Sequence, residues 1–285
     1  MAKDLVDIKD IILKKIRQKG SARAGDIIKE TGYSRQYINR FFQDLREEGK
    51  ILLVGKGVSS RYITADRDKY WQEKNNILSY RTELVNKGLQ EDLVLDNIKS
   101  STGIFTGLRP NVSSILDYAF TEILNNAIDH SKSVKIQISI KREDGVINFE
   151  IKDRGIGIFR NIKSKYKLKD IDESIELLLK GKSTTAPAKH SGEGIYFTSK
   201  AVSTMIINSY GKKLIFNNII DDIFIKNEKE YKGTSVKYSV PEKSKVNLKE
   251  IFNKYSDEDY SFNKTEVRID LSKRRGTYVS RSEAK

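Results

Sequence analysis

Apolar positions recur at three- and four-residue spacing along much of this chain, and the phase of that spacing marks its elements. Asp4–Lys19 sets Leu5, Ile8, Ile12 and Ile16 on one face of a predicted helix that Gly20 ends. A second helix runs from Arg23 to Thr31 and closes at Gly32. A third, Arg35–Glu48, has Ser34 as its cap, Ile38, Phe41, Phe42 and Leu45 inward, and Gly49 after it. ILLVGKGVSSRYIT then reads as two short strands around Gly55-Lys56-Gly57. Tyr70 to Asn86 predicts a connecting helix and Leu89 to Ile98 another. Leu116, Ala119, Phe120, Ile123, Leu124, Ala127 and Ile128 give the broadest buried face, on a helix ending TEILNNAIDHS, Thr121 to Ser131. The period then changes to two over Val134–Lys141 and Val146–Lys152, joined by Glu143-Asp144-Gly145, a turn of hairpin type. Later, IDESIELLLKG and the stretch from Ile195, IYFTSKAVSTMIIN, read as helices, Val246–Tyr255 as a helical patch, and Glu266–Leu271 as a strand.

Polar groups interrupt this pattern at particular places. Glu122, Asn126 and Asp129 fall on one side of the apolar helix, and residues at i and i+4 sit one above the other there, about 6 Å apart at Cβ. That spacing suits a water and a hydrated Mg²⁺ held side by side. The second strand of the hairpin ends in Asp153-Arg154-Gly155-Ile156-Gly157, followed by Ile158. Further on lie His190-Ser191-Gly192-Glu193-Gly194-Ile195-Tyr196-Phe197 and Lys232-Gly233-Thr234-Ser235-Val236.

These four motifs, in this order, resemble the GHKL superfamily of ATP-binding domains over roughly Leu108 to Val240. The resemblance implies a Bergerat α/β sandwich, a mixed sheet with helices on one face, binding ATP and Mg²⁺. It implies that Glu122 orients or deprotonates the attacking water and that Asn126 holds Mg²⁺ against the triphosphate. Both roles agree with the chemistry, since Mg²⁺ takes hard oxygen ligands and phosphoryl transfer needs positioning and charge neutralisation. It also implies that Asp153 accepts a hydrogen bond from the adenine amino group, with Thr234 in support and Asp129 nearby. Gly155 and Gly157 would turn the backbone beneath the nucleotide. Gly192, Glu193, Gly194, Ile195 and Tyr196 would open a helix whose free N–H groups suit phosphate oxygens.

The charged stretch from Phe159 to Ser191 matches the position of the superfamily's lid over ATP, and Lys182, Ser183, Thr184 and Thr185 would meet phosphates on closure. Gly181-Lys182-Ser183 is not a P-loop, because the required glycine at position 176 is Glu176. A sensor histidine kinase needs a phosphoacceptor histidine ahead of its ATP domain. The two histidines here, His130 and His190, lie in the first motif and the lid, so self-phosphorylation on histidine is not expected. Hydrolysis of ATP and phosphorylation of a separate partner on Ser or Thr, as in the anti-sigma kinases, stay open.

Residues 1–65 have the organisation of a winged helix-turn-helix, giving an α+β chain overall. In that module the start of the third helix reaches base edges, so Arg35, Gln36, Tyr37, Asn39 and Arg40 are candidates for DNA readout. Lys56 and Arg61 would meet phosphate. Such modules also dock proteins, and both uses stay open. Residues 66–107 form a helical connector, which could transmit nucleotide state or make a homodimer seam. Residues 108–241 are the ATP domain. Residues 242–285 are a tail, whose end resembles the opening of a STAS-like domain cut short, so a STAS-like partner also enters consideration.

Composition narrows the classes further. The 285 residues include 53 Lys or Arg against 39 Asp or Glu, a net charge of +14, which favours polyanions through counterion release. Residues 1–65 hold 14 basic against 8 acidic side chains. No cysteine occurs, which removes disulfides and zinc–thiolate sites. No run of some 18 apolar residues and no signal-peptide pattern appears, so a soluble, cytoplasmic chain without membrane contact is the expectation, and the motif order with the basic N-terminus suggests a bacterial regulator.

Overall fold

The computed structural model describes residues 8–180 and 194–255. Asp4, the stretch 182–191 and the predicted strand Glu266–Leu271 lie outside them. The chain divides into two units, one of Met1–Ser79 with Ile98–Thr106, the other of Tyr80–Asn97 with Gly107–Lys285.

The first unit packs α1 (Ile8–Lys19), α2 (Ala24–Thr31) and α3 (Arg35–Glu47) with a hairpin of β1 (Ile51–Val54) and β2 (Arg61–Thr64). The predicted inward residues Ile8, Ile12, Ile16, Ile38, Phe42 and Leu45 are its core, joined by Ile27 and Ile51, and Phe42 stacks on Tyr62 with ring centroids 4.1 Å apart. Ser34 caps α3 by accepting the Tyr37 N–H at 3.3 Å, and Gly32 ends α2 with φ +73°, a left-handed position that glycine takes without strain. Strand register runs from Ile51 opposite Thr64 to Val54 opposite Arg61, and Ala22 bridges Tyr62 through two backbone bonds of 2.9 and 2.8 Å.

The connector departs from the prediction. Helix α4 covers only Arg67–Ile77, with the Asp66 carboxylate accepting two N–H groups of its first turn. Ser79–Val85 is strand β3, not helix. Its side chains alternate between half-buried Tyr80, Thr82 and Leu84 and exposed Arg81, Glu83 and Val85, a period of two that a helix cannot bury. Helix α5 follows at Glu91–Ser101.

The second unit continues with α6 (Pro110–His130), β4 (Lys135–Glu143), β5 (Val146–Asp153), α7 (Ile158–Tyr166) and α8 (Ile171–Leu179). After residue 193 come α9 (Gly194–Ala201), β6 (Thr204–Ser209), β7 (Lys212–Asn217), β8 (Asp222–Asn227), β9 (Ser235–Pro241) and α10 (Leu248–Tyr255). The predicted helix from Ile195 to Asn208 therefore stops at Ala201, and Thr204–Ser209 is strand, again because Met205, Ile207 and Ser209 alternate inward. The class is α+β, with one seven-stranded sheet in the order β3-β4-β5-β9-β6-β7-β8. The five pairings from β4 to β8 are antiparallel.

One face of this sheet is apolar and buried. Ile136, Ile138 and Ile140 of β4, Ile147, Phe149 and Ile151 of β5, and Val236, Tyr238 and Val240 of β9 lie on it. Helix α6 packs on β5, β9 and α9 and buries eight apolar residues, of which Leu116, Phe120, Ile123 and Leu124 each contribute about 2 kcal/mol of burial. The intervening residues Gln137, Ser139, Glu150, Lys152 and Lys237 are polar and face outward, as one-sided burial of an antiparallel sheet requires. At the β4–β5 turn Asp144 and Gly145 both have positive φ, 51° and 75°, the backbone of a two-residue hairpin turn.

Candidate nucleotide site

The site grows from the ends of β5 and α6. Buried Asp153, the last residue of β5, is 4% exposed. Its Oδ1 accepts the Gly155 N–H at 2.8 Å and the Thr234 N–H at 3.2 Å. Desolvation outweighs these bonds and raises its pKa above the usual carboxylate range. Three backbone donors beyond it are committed within the fold. Ile156 N–H reaches the Ser131 carbonyl at 2.8 Å, Ile158 N–H reaches Thr234 Oγ1 at 3.0 Å, and Arg154 N–H reaches Ser133 Oγ at 3.2 Å.

Two glycines let this loop close. A Cβ at Gly155 would lie 1.8 Å from the Ser131 carbonyl oxygen, so only hydrogen fits where the loop crosses the end of α6. Gly157 has φ +75°, and a Cβ there would meet the Tyr210 ring at 2.4 Å. Gly233 fits as closely from the other side, with its missing Cβ 2.2 Å from the Asp153 carbonyl. Tyr231 donates its hydroxyl to that same carbonyl at 2.9 Å, and Ser209 donates to the Gly233 carbonyl at 2.7 Å.

The end of α6 comes to the same place. Asn161 of α7 donates to the His130 carbonyl at 3.3 Å, and Ser131, which receives the loop, caps α6 directly after Asp129 and His130. Glu122, Asn126 and Asp129 are half-buried on the margin of the helix's apolar face. Asn126 spends its Nδ2 on the Glu122 carbonyl at 2.8 Å, which leaves its Oδ1 as the oxygen offered to a ligand. One hard oxygen on a protein side chain fits Mg²⁺, which keeps several waters and takes phosphate oxygens for the rest. The start of α9 meets Glu122: a Cβ at Gly194 would sit 1.8 Å from Glu122 Oε2.

Asp153, Gly155, Gly157, Ile158 and Thr234 thus share one hydrogen-bonded and packed loop, anchored to the end of α6, and Gly194 joins Glu122. Ile195 is half-buried in the first turn of α9. The Tyr196 side chain packs into an aromatic cluster with Phe197, Tyr118, Phe252 and Tyr255. Lys182, Ser183, Thr184, Thr185, Gly192 and Glu193 lie outside the described residues. Ser131, Ser133, Tyr210 and Tyr231 escaped the sequence reading. Only Ser131 carries a signal, as the residue after a helix end; the others lie in the turns and loops that flank β4, β6 and β9.

In the first unit Arg35, Gln36, Tyr37, Asn39, Arg40 and Lys56 are exposed. Arg35, Gln36, Asn39 and Arg40 make no side-chain hydrogen bond or ion pair with another described residue. The Arg61 guanidinium is tied to Glu73 at 2.7 Å, at side-chain exposures of 25% and 14%.

No curated protein matches the chain. The family described as histidine kinase-, DNA gyrase B-, and HSP90-like ATPase matches residues 111–244, from the first turn of α6 to just beyond β9. Residues 111–244, which hold the ordered motifs, the one-sided sheet and the Asp153 loop, are thus similar to ATPase domains of this GHKL type.

Proposed function

We propose that this chain is an ATP-binding regulator in which Mg-ATP at the GHKL-type site controls DNA binding by a winged helix-turn-helix in residues 1–65. The observation that carries the nucleotide reading is Asp153. A carboxylate this buried, with no cation beside it among the described residues and two N–H groups already on Oδ1, is suited to receive a neutral N–H donor such as the adenine amino group. It would reject a base that shows a carbonyl there. Asn126 would hold Mg²⁺ through Oδ1, and the metal supplies charge neutralisation to the phosphates when bound. Glu122 would orient the attacking water, and the first turn of α9 would offer free N–H groups to phosphate oxygens.

The DNA half rests on the exposed face of α3, where Arg35, Gln36, Asn39 and Arg40 have no side-chain partner among the described residues, in a unit rich in basic residues. ATP can shift DNA affinity only by its differential affinity for two states of the chain. Titration calorimetry with ATP and Mg²⁺, followed by DNA binding with and without the nucleotide, tests both halves. Heat on ATP addition and a changed DNA affinity are the expected results; equal DNA affinity in both conditions removes the coupling. Labelled γ-phosphate transferred to a second protein would favour phosphorylation of a STAS-like partner, and release as free phosphate would favour hydrolysis.

A further inference from the structure

Helix α10 lies beyond the end of the matched ATPase segment, at Leu248–Tyr255, yet it is fastened to the helix that begins at the catalytic margin. The chain between them is pinned at two points. Arg142 holds Glu242 through bonds of 2.8 and 3.0 Å, and Asn111 Nδ2 donates to the Ser244 and Val246 carbonyls, each at 2.9 Å. Asn247 then turns its side chain onto the Lys249 N–H at 2.9 Å, which starts the helix.

What α10 covers is one aromatic cluster. Phe252 meets Phe197 of α9 at 4.9 Å and Tyr118 of α6 at 5.2 Å, both edge-on at 81°. Tyr255 meets Tyr196 at 5.8 Å. Tyr118 and Glu122 are four residues apart on α6, hence on one face. Along that face α9 is therefore fixed twice: through Phe252 between Phe197 and Tyr118, and through Gly194 against the Glu122 carboxylate. Edge-on aromatic pairs are directional, so loss of the central ring frees the tilt of α9 as well as exposing surface.

We infer that Phe252 is a positioning residue for the nucleotide's phosphates: seated between Phe197 and Tyr118, it sets the angle at which the first turn of α9 meets the Glu122 margin. This rests on the proposed nucleotide site. The grip on adenine comes from Asp153, Thr234 and Gly155, none of which touches α10, so the two ends of the nucleotide respond differently.

The experiment measures ATP and adenosine affinity of the full chain and of its Phe252→Ala and Phe252→Leu variants, with thermal midpoints alongside. For Phe252→Ala the ATP affinity is expected to fall about tenfold while adenosine affinity holds. Phe252→Leu should recover most of the loss. Unchanged ATP affinity in Phe252→Ala overturns the inference, as does an equal loss for ATP and adenosine with a lowered midpoint, which marks a merely structural contact. A wild-type chain that binds neither ligand overturns the nucleotide site itself, and is told apart because it fails before any substitution.

Discussion

Gly194 approaches the Glu122 carboxylate so closely that a methyl group on its Cα would lie 1.8 Å from Oε2. The obstruction is the end of a flexible side chain, and Gly194 has no positive φ to forbid alanine. Gly194→Ala is therefore expected to push Glu122 aside without unfolding the domain. Phosphate release should fall about 100-fold for displacement of a water-orienting group. The thermal midpoint should change by the equivalent of about 1 kcal/mol or less, since alanine favours the helix. Glu122→Ala should give the same loss of turnover with ATP binding intact. If either variant hydrolyses ATP at the wild-type rate, Glu122 does not serve the water.

Gly155 offers the opposite case. Its missing Cβ would also fall 1.8 Å from an oxygen, but that oxygen is the Ser131 carbonyl, part of the backbone that accepts the Ile156 N–H. Nothing there swings away. Gly155→Ala should cost about 3 kcal/mol from overpacking and a lost backbone bond, read as a lower urea midpoint, and should weaken ATP binding with it. A variant as stable as wild type would mean that the loop crosses α6 with more room than these distances allow.

The two glycines also mark where sequence reading stops. Helix α6 was legible because its buried residues repeat at helical spacing. The β4–β5 hairpin was legible because alternation flanks Asp144-Gly145. Motif order then pointed to Asp153 and Asn126. The contacts of Gly155 with Ser131 and of Gly194 with Glu122 depend on how separate elements approach, which no local pattern encodes. Strands β3 and β6 fall inside predicted helices because the alternation of Tyr80 to Leu84 is only five residues long and Met205 to Ile207 is a short apolar run, which periodicity alone does not assign to strand or helix. The ion pair of Arg61 with Glu73 is equally illegible, because its partner lies in the next helix.

Asp153 links binding to stability with opposite signs. Its pKa is raised in the folded chain, with burial as the main cause, so the folded state holds the proton to higher pH than the unfolded state does. Stability from this group is complete below about pH 4, where an unfolded aspartate titrates, and is lost as pH rises through the folded value. Asp153→Asn keeps the acceptor for the Gly155 and Thr234 N–H groups and removes the titration. Its thermal midpoint should equal or exceed wild type at neutral pH and lose that advantage below about pH 4. Its amide N–H₂ would face the adenine amino group, donor against donor, at a cost of about 2 kcal/mol, roughly thirtyfold in Kd. Calorimetry at pH 7 with melting curves from pH 3 to 8 checks both signs, and unchanged ATP affinity would remove Asp153 from base recognition.

Arg40 and Arg61 allow the proposed DNA contact to be told from a structural one within the first unit. Arg40 is exposed on α3 with no partner among the described residues, whereas Arg61 is held by Glu73 at 2.7 Å in a half-buried pair. A guanidinium that neutralises a DNA phosphate releases a counterion, so its loss lowers affinity and also flattens the dependence of log K on log salt by about 1. A guanidinium that balances a neighbouring carboxylate does neither; its loss leaves Glu73, 14% exposed, without its cation and destabilises the unit by about 2 kcal/mol. Arg40→Ala should therefore weaken duplex binding and reduce the salt slope at unchanged stability. Arg61→Ala should lower the unfolding midpoint and, at temperatures where the unit stays folded, leave the slope as it was. Fluorescence anisotropy with a labelled duplex at four salt concentrations distinguishes the two. A slope that falls for Arg61→Ala and holds for Arg40→Ala would move the DNA-facing surface from α3 to the hairpin.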